Sequence, residues 1–207
     1  CISLKRKKMM KNKVIILILS FCLAVLSVTL FKLKKSNVTL SDIPEGEDFI
    51  IQTTTGEEFD LSKKRGKVII LYFGYTFCPD ICPTTLSTVG VALNKFTTDE
   101  LKHIETLFIG VDTKRDTLVK LKEYSAFFHP TIVGGSTTAD KTKEIATIFG
   151  VNYVVHEPEP GKSYYVVDHS TQLLILNKKG KIAELVPHGE SADIIYQTVL
   201  KYLKEKI

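Results

Sequence analysis

Two cysteines four positions apart are the residues of this chain best suited to chemistry. Cys78 and Cys82 lie in YFGYTFCPDICPTTL, residues 72–86, between a hydrophobic run and a threonine-rich stretch that is typical of a helix start. Such a pair can be a structural disulfide, a redox-active dithiol or part of a metal site. A disulfide that closes so short a loop constrains the unfolded chain very little, because the stabilisation grows with loop length. The spacing therefore favours redox chemistry or metal binding.

Pro83 indicates where these cysteines lie in the local structure. Proline is tolerated in the first turn of a helix and clashes further inside it, so a helix is predicted to begin near Cys82, with CPDIC leading into it. The unpaired N–H groups and the dipole of a helix N-terminus stabilise thiolate, the form that attacks disulfides and binds metals. This position fits the redox and the metal interpretations equally.

The elements that position the cysteines alternate between strands and helices. Buried strands are predicted within residues 67–75 and 106–112, and each is followed by a helical pattern. Two short strands joined at Gly56 precede them, and a hairpin turning at Lys179-Gly180 and a last helix follow. This order predicts an α/β, thioredoxin-like fold, with a central mixed sheet and helices on both faces.

An uncharged apolar run precedes this domain. VIILILSFCLAVLSVTLF, Val14 to Phe31, is 18 residues long, close to the ~20 that cross a hydrocarbon core. It predicts one uncleaved transmembrane helix, with a cleaved signal peptide as the alternative. Six basic residues before the run and three after it place the N-terminus in the cytoplasm. We therefore expect a cytoplasmic basic segment and membrane anchor, residues 1–35, and an exported domain, residues 36–207.

The flanks of the anchor also indicate the compartment. Six basic residues stand directly before the span, without a Ser/Arg-rich amphipathic presequence. This favours a single-pass protein of a bacterial inner membrane with its C-terminal domain in the periplasm. The mitochondrial intermembrane space is the alternative location for that domain.

The net charge of +5 comes from the same flanks. Nine of the 28 lysines and arginines fall in the first 35 residues, which hold no acid, so 19 remain against 23 acids in residues 36–207. The exported domain therefore carries about −4 and shows no basic stripe interleaved with aromatic residues. Nucleic acid is not expected as a partner.

Three blocks of the sequence resemble the Sco/SenC family of membrane-anchored copper proteins. They are YFGYTFCPDICPTTL, VDTKRDTLVKLKEYSAFFHPTIVGG and YVVDHSTQLLILNKKGKI, in the family's order within residues 40–205. The resemblance implies a thioredoxin fold that binds one copper ion, as Cu(I) and also as Cu(II), through Cys78, Cys82 and His169. It also implies a copper chaperone that serves the copper-receiving subunit of cytochrome c oxidase, with copper donors or thiol reductants as further partners.

The chemistry of these donors agrees with copper. Two soft thiolates suit Cu(I) and an imidazole completes a low-coordinate site, whereas structural zinc uses four protein ligands. The only methionines, Met9 and Met10, lie before the anchor, so the exported domain has no thioether donors. Cysteine and histidine must therefore supply the site.

The three blocks that resemble the Sco/SenC family also contain four aspartates. Asp80 lies between the cysteines and Asp168 precedes His169, so both are candidates for orienting the ligands or tuning the thiol pKa values. Asp112 and Asp116 in VDTKRDT are interpreted as turn and helix-cap residues. Neither interpretation changes the proposed ligands.

A thiol-disulfide oxidoreductase is the alternative function, reducing cysteines of the oxidase subunit or of other exported proteins. Its cysteine pair usually has two intervening residues, whereas three lie between Cys78 and Cys82. A thiol peroxidase is a third interpretation, because its peroxidatic cysteine also lies at a helix start. The Thr and Arg residues that usually neighbour that cysteine are not identified in this sequence. Copper release and disulfide reduction both require the reduced pair, so the first two functions overlap and enzymatic activity is left open.

Overall fold

A seven-stranded mixed sheet forms the centre of the domain. The computed structural model describes residues 46–156, 158, 160–161 and 164–206. The strands in this part of the chain are β1 Ile50–Thr53, β2 Glu58–Asp60, β3 Val68–Gly74, β4 Ile104–Gly110, β5 Ile132–Ser136, β6 Tyr153–Val155, β7 Val167–His169, β8 Leu173–Leu176 and β9 Ile182–Val186. The sheet order is β2-β1-β5-β4-β3-β8-β9, and β6 pairs with β7 in a separate antiparallel ladder.

The two central strands run in parallel and end at the same edge of the sheet. β3 pairs with β4 so that Gly74 lies opposite Gly110, while β8 runs antiparallel to β3 on its other side. Every residue of β3 and of β8 is buried. Because successive side chains of a strand point to opposite faces, both faces of the sheet centre are covered.

Helices lie between the strands and after the last one, and most of them begin at a side-chain cap. They are α1 Ile81–Leu93, α2 Thr98–Leu101, α3 Leu118–Phe128, α4 Ala139–Ile148 and α5 Ala192–Lys204. A Thr or Ser side chain at the N-cap of each of α2 to α5 accepts a hydrogen bond from the backbone N–H three residues on. The predicted mixed sheet with flanking helices is confirmed.

Some elements were not predicted from the sequence. Strand β5 lies in TIVGGS, whose two glycines hide the strand pattern, and α2 is only one turn long. The second central strand runs over residues 104–110 rather than 106–112. The predicted anchor, residues 14–31, lies outside the described residues. Within the described part of the chain, no helix combines the length and apolar character needed to cross a membrane.

Candidate metal centre

The candidate centre is built where β3 ends and α1 begins. β3 ends at Gly74, a short loop carries Cys78, and α1 starts at Ile81, so Cys82 lies in its first turn, as predicted. Cys82 is fully buried and Cys78 is half-buried, and both are free cysteines. Any group that approaches the pair from solvent therefore meets Cys78 first.

The third residue of the centre comes from the separate β6–β7 ladder. β7 ends at His169, whose Nε2 lies 3.3 Å from Cys82 Sγ. The potential ligand atoms of Cys78, Cys82 and His169 all lie within 4.8 Å of one another. The structure thus brings together three residues that are 4 and 87 positions apart in the chain.

The two sulfurs have opposite protonation preferences. The Cys82 thiol donates a hydrogen bond to the Cys78 sulfur, and this lowers the pKa of Cys78 far below its usual range. The backbone N–H of Cys82, 3.4 Å from Cys78 Sγ, also stabilises the thiolate. The same bond to Cys78, together with burial, raises the pKa of Cys82. Cys78 is therefore the sulfur that ionises more readily, and Cys82 is the one that holds its proton more tightly.

The ring of His169 is held by its own chain and by two tyrosines. Nδ1 lies 2.8 Å from the carbonyl oxygen of Ser170, which can only accept, so Nδ1 carries the proton. Tyr72 and Tyr75 meet the imidazole edge-on, with ring centroids 6.2 Å and 5.8 Å away. When the ring is neutral, this tautomer leaves a lone pair on Nε2, 3.3 Å from Cys82 Sγ, where it can bind a metal.

The donor set decides which metal fits. Two sulfurs and one imidazole nitrogen converge, and this is the one group of three close His, Cys, Asp or Glu ligands among the described residues. Soft sulfur donors at low coordination number suit Cu(I), while hard cations need oxygen ligands and structural zinc needs a fourth protein ligand. The residues present therefore fit copper.

Comparison with known proteins places this centre in a family. Residues 38–204 match the family model for SCO1/SenC. The chain belongs to the SCO1/SenC family. An SCO2-like protein of Rickettsia conorii is 34% identical over 148 residues, which make up 70% of this chain and 70% of that protein. Mitochondrial SCO2 of Saccharomyces cerevisiae is 30% identical over 172 residues, 83% of this chain but only 56% of the yeast protein.

Solved structures of SCO1/SenC relatives share the fold. ScoI of Arabidopsis thaliana, solved with copper bound, has a TM-score of 0.69 at 30% identity and matches over 78% of this chain and 99% of its own. Yeast Sco1, also solved with copper bound, has a TM-score of 0.69 at 30% identity, over 79% and 90% of the two chains. These likenesses confirm the predicted thioredoxin-like layout.

Asp80 and Asp168, predicted as supporting residues, both lie beside the SCO1/SenC centre. The backbone N–H of Asp80 stabilises the Cys78 thiolate, while its exposed carboxylate faces Thr84, with Oδ1 3.4 Å from the Thr84 hydroxyl. Asp168 is exposed, and its carboxylate lies 2.7 Å from His156 Nε2. Their roles in tuning the ligands stay predictions.

Asp116 does more than the sequence indicated. Asp116 is 1% exposed, and its Oδ1 accepts hydrogen bonds from the Thr76 N–H at 2.9 Å and the Thr76 hydroxyl at 2.6 Å. The interpretation as a helix cap was wrong, because Thr117 caps α3. Asp116 instead ties the β4–α3 loop to the segment that carries Cys78.

Asp112 and Arg115 tie the same loop to the chain that leads to His169. Asp112 Oδ1 accepts a hydrogen bond from the Tyr165 hydroxyl at 2.8 Å, and Oδ2 accepts one from Arg115 Nε. The Arg115 guanidinium lies 3.6 Å from the centroid of the Tyr165 ring and 4.8 Å from that of Phe77. A sequence signal existed: polar residues directly after two neighbouring parallel strands meet at one sheet edge.

Proposed function

We propose that this SCO1/SenC protein is a copper chaperone that holds one copper ion through Cys78, Cys82 and His169. The observation that carries the proposal is the convergence of two sulfurs and one imidazole nitrogen within 4.8 Å. It is supported by relatives in Arabidopsis and yeast whose structures contain copper. In this proposal copper is the cargo, and the protein supplies two sulfur donors and one imidazole nitrogen in a partly buried site.

The burial of the three side chains suits transfer of the ion. Cys82 is fully buried at the base of the site, whereas Cys78 and His169 are only half-buried. A thiolate from a partner can therefore approach beside Cys78 and replace the donors of this chain one at a time. Three ligands rather than four leave a coordination position for that exchange.

Family membership supports a recipient in respiratory metabolism. We infer that the ion passes to the copper-receiving subunit of cytochrome c oxidase, and that copper donors or thiol reductants recharge the protein. The apolar run at residues 14–31 would hold the protein in the membrane, with residues 36–207 as the exported domain. Related proteins occur in Rickettsia and in mitochondria, and the basic flank favours a bacterial inner membrane.

Metal analysis of the full chain in detergent tests the copper site. The reduced protein, loaded with Cu(I) and freed of excess metal, should retain one copper per chain. Cys78→Ser, Cys82→Ser and His169→Ala should each weaken retention, because each removes one of three donors. Retention of a full equivalent by all three variants would overturn the proposal.

A second function, thiol-disulfide exchange, is favoured by the unequal cysteines. Cys78 is the more accessible sulfur and ionises more readily, whereas Cys82 is buried and holds its proton more tightly, the arrangement of an attacking and a resolving cysteine. Cys78 would attack a target disulfide, and Cys82 would then release the target by forming the Cys78–Cys82 disulfide. Two electrons and the Cys82 proton pass to the target, and the second target sulfur takes its proton from solvent, so the target leaves as a dithiol.

The two functions differ in their need for His169. Reduction of a model disulfide by the reduced chain should survive His169→Ala, since both reacting sulfurs remain, although the variant loses the hydrogen bond by which His169 helps to lower the pKa of Cys78. Copper retention should be weakened in the same variant, because His169 is one of the three proposed copper ligands. If both properties are lost together in a folded variant, the separation of the two functions is wrong.

A further inference from the structure

Tyr72 contacts two of the three proposed copper ligands. Its side chain is 1% exposed on β3, and its hydroxyl donates a hydrogen bond to Cys82 Sγ across 3.7 Å. Its ring meets the His169 imidazole edge-on, with 69° between the ring planes. A single buried residue thus bonds to one ligand sulfur and packs against the ring of the ligand histidine.

Tyr72 is itself held in place from two directions. Its ring stacks on Phe108, with centroids 5.9 Å apart and planes 29° apart. Its hydroxyl also interacts with Thr85, whose Oγ1 lies 2.8 Å from His188 Nδ1. The hydroxyl is therefore fixed beside the sulfur by packing and by polar partners.

We propose that Tyr72 is a positioning residue that shifts the balance of the site towards Cu(I). The inference rests on the copper site proposed above. A thiolate on Cu(I) keeps more negative charge than one on Cu(II), because Cu(II) draws more electron density from the sulfur. A fixed hydrogen-bond donor therefore stabilises the Cu(I) form more, as hydrogen bonds to ligand sulfurs do in other metal sites.

Tyr72→Phe tests this role, because it keeps the ring and removes only the hydroxyl. Tyr124→Phe is the matched control. The Tyr124 ring also packs against Phe108, with centroids 5.6 Å apart, but its buried hydroxyl has no hydrogen-bond partner among the described residues. The full chain and both variants would be loaded separately with Cu(I) and Cu(II), and their affinities measured against competing chelators. The absorption spectrum of the Cu(II) form gives a second measurement.

Tyr72→Phe should still bind one copper, with the ratio of Cu(I) to Cu(II) affinity reduced about tenfold. For a one-electron couple this equals about 59 mV. The sulfur-to-Cu(II) charge-transfer band should move to longer wavelength, because the sulfur without its donor gives up an electron more easily. Tyr124→Phe should match the wild type in both measurements.

Three results would overturn the role of Tyr72. These are an unchanged ratio and spectrum in Tyr72→Phe, an equal change in Tyr124→Phe, or loss of copper from a folded Tyr72→Phe protein. Failure of the wild type to bind copper would instead refute the proposed function. A wild type that binds copper beside an unchanged Tyr72→Phe refutes only this inference.

Discussion

The Cys82 sulfur occupies the space that a side chain at Gly74 would need. A Cβ at Gly74 would lie 2.6 Å from Cys82 Sγ and 2.8 Å from Phe108 Cε2, closer than such atoms come in proteins. We expect Gly74→Ala to displace the sulfur from His169 and to weaken copper binding by about 10–100-fold. Overpacking should also lower the free energy of unfolding by about 1–3 kcal/mol. Chelator competition and urea unfolding measure the two effects.

Gly135→Ala separates these two effects. Gly135 lies on β5 of the same sheet, and its added Cβ would lie 3.2 Å from Leu107 Cδ1, with no ligand nearby. This variant should lose stability while it binds copper as the wild type does. Weak copper binding in Gly135→Ala, or normal binding in Gly74→Ala, would contradict the account of Gly74.

Asp116 should make stability depend on pH. Burial raises the pKa of this carboxyl from 3.8 to about 6, despite the hydrogen bonds from Thr76. Because the folded state holds the proton more tightly, the stabilisation from this group is complete below pH 3.8 and is lost as pH rises through about 6. Relative to Asp116→Asn, the wild type should lose up to about 3 kcal/mol of unfolding free energy over that range.

Urea unfolding of both proteins at about pH 4 and about pH 7 measures this difference. The comparison with Asn cancels the other titrating groups, since only one carboxyl differs. Identical pH dependence in the two proteins would show that Asp116 ionises as freely in the folded chain as in the unfolded one.

Arg115 should stabilise the segment that leads to His169. Arg115→Ala leaves the buried Asp112 carboxylate without its ion partner and removes the guanidinium from between Tyr165 and Phe77. Breaking a buried ion pair costs about 3–5 kcal/mol, which we expect in the free energy of unfolding. Amide hydrogens of residues 164–168 should also exchange faster.

Lys120 provides the matched control for Arg115. Its Nζ also lies over the Phe77 ring, 4.7 Å from the centroid, but the residue is exposed on α3. Lys120→Ala should change stability by no more than about 0.5 kcal/mol. Equal losses in the two variants would mean that the contact with Phe77, rather than the pair with Asp112, supplies the stability.

The fold could be predicted wherever an element carries its own pattern. β3 is a continuous apolar run, and Pro83 in the first turn of α1 indicates where that helix begins, so both were placed within a few residues. β5 was missed because Gly134 and Gly135 leave it few side chains that indicate a strand. Leu121 packs closely against Gly134, and Leu107 packs closely against Gly135, so a larger side chain has little room at either position. These tertiary contacts cannot be seen in the sequence.

The candidate site shows the same division. The cysteine pair is visible as a local motif, but His169 could be separated from the other four histidines only through the family resemblance. The bond between Asp116 and Thr76 joins residues 40 positions apart. Such a contact depends on where two parallel strands end, so the sequence alone indicated only a turn or helix-cap role for Asp116.

Copper loading should depend on the redox state of the cysteine pair. A Cys78–Cys82 disulfide offers no thiolate, so the oxidised chain should bind no Cu(I), while the reduced chain should bind one equivalent. Metal analysis after treatment with oxidant or reductant compares the two forms, and renewed reduction of the oxidised sample should restore loading. Equal loading in both forms would place the copper elsewhere.

X-ray absorption at the copper edge of the full chain, loaded with Cu(I), tests the ligand set most directly. Two sulfur neighbours and one imidazole nitrogen are predicted for the wild type, because Cys78, Cys82 and His169 hold their donor atoms within 4.8 Å of one another. In His169→Ala the imidazole signal should disappear while both sulfurs remain. A wild-type spectrum without two sulfurs, or an imidazole signal that survives His169→Ala, would contradict the proposed centre.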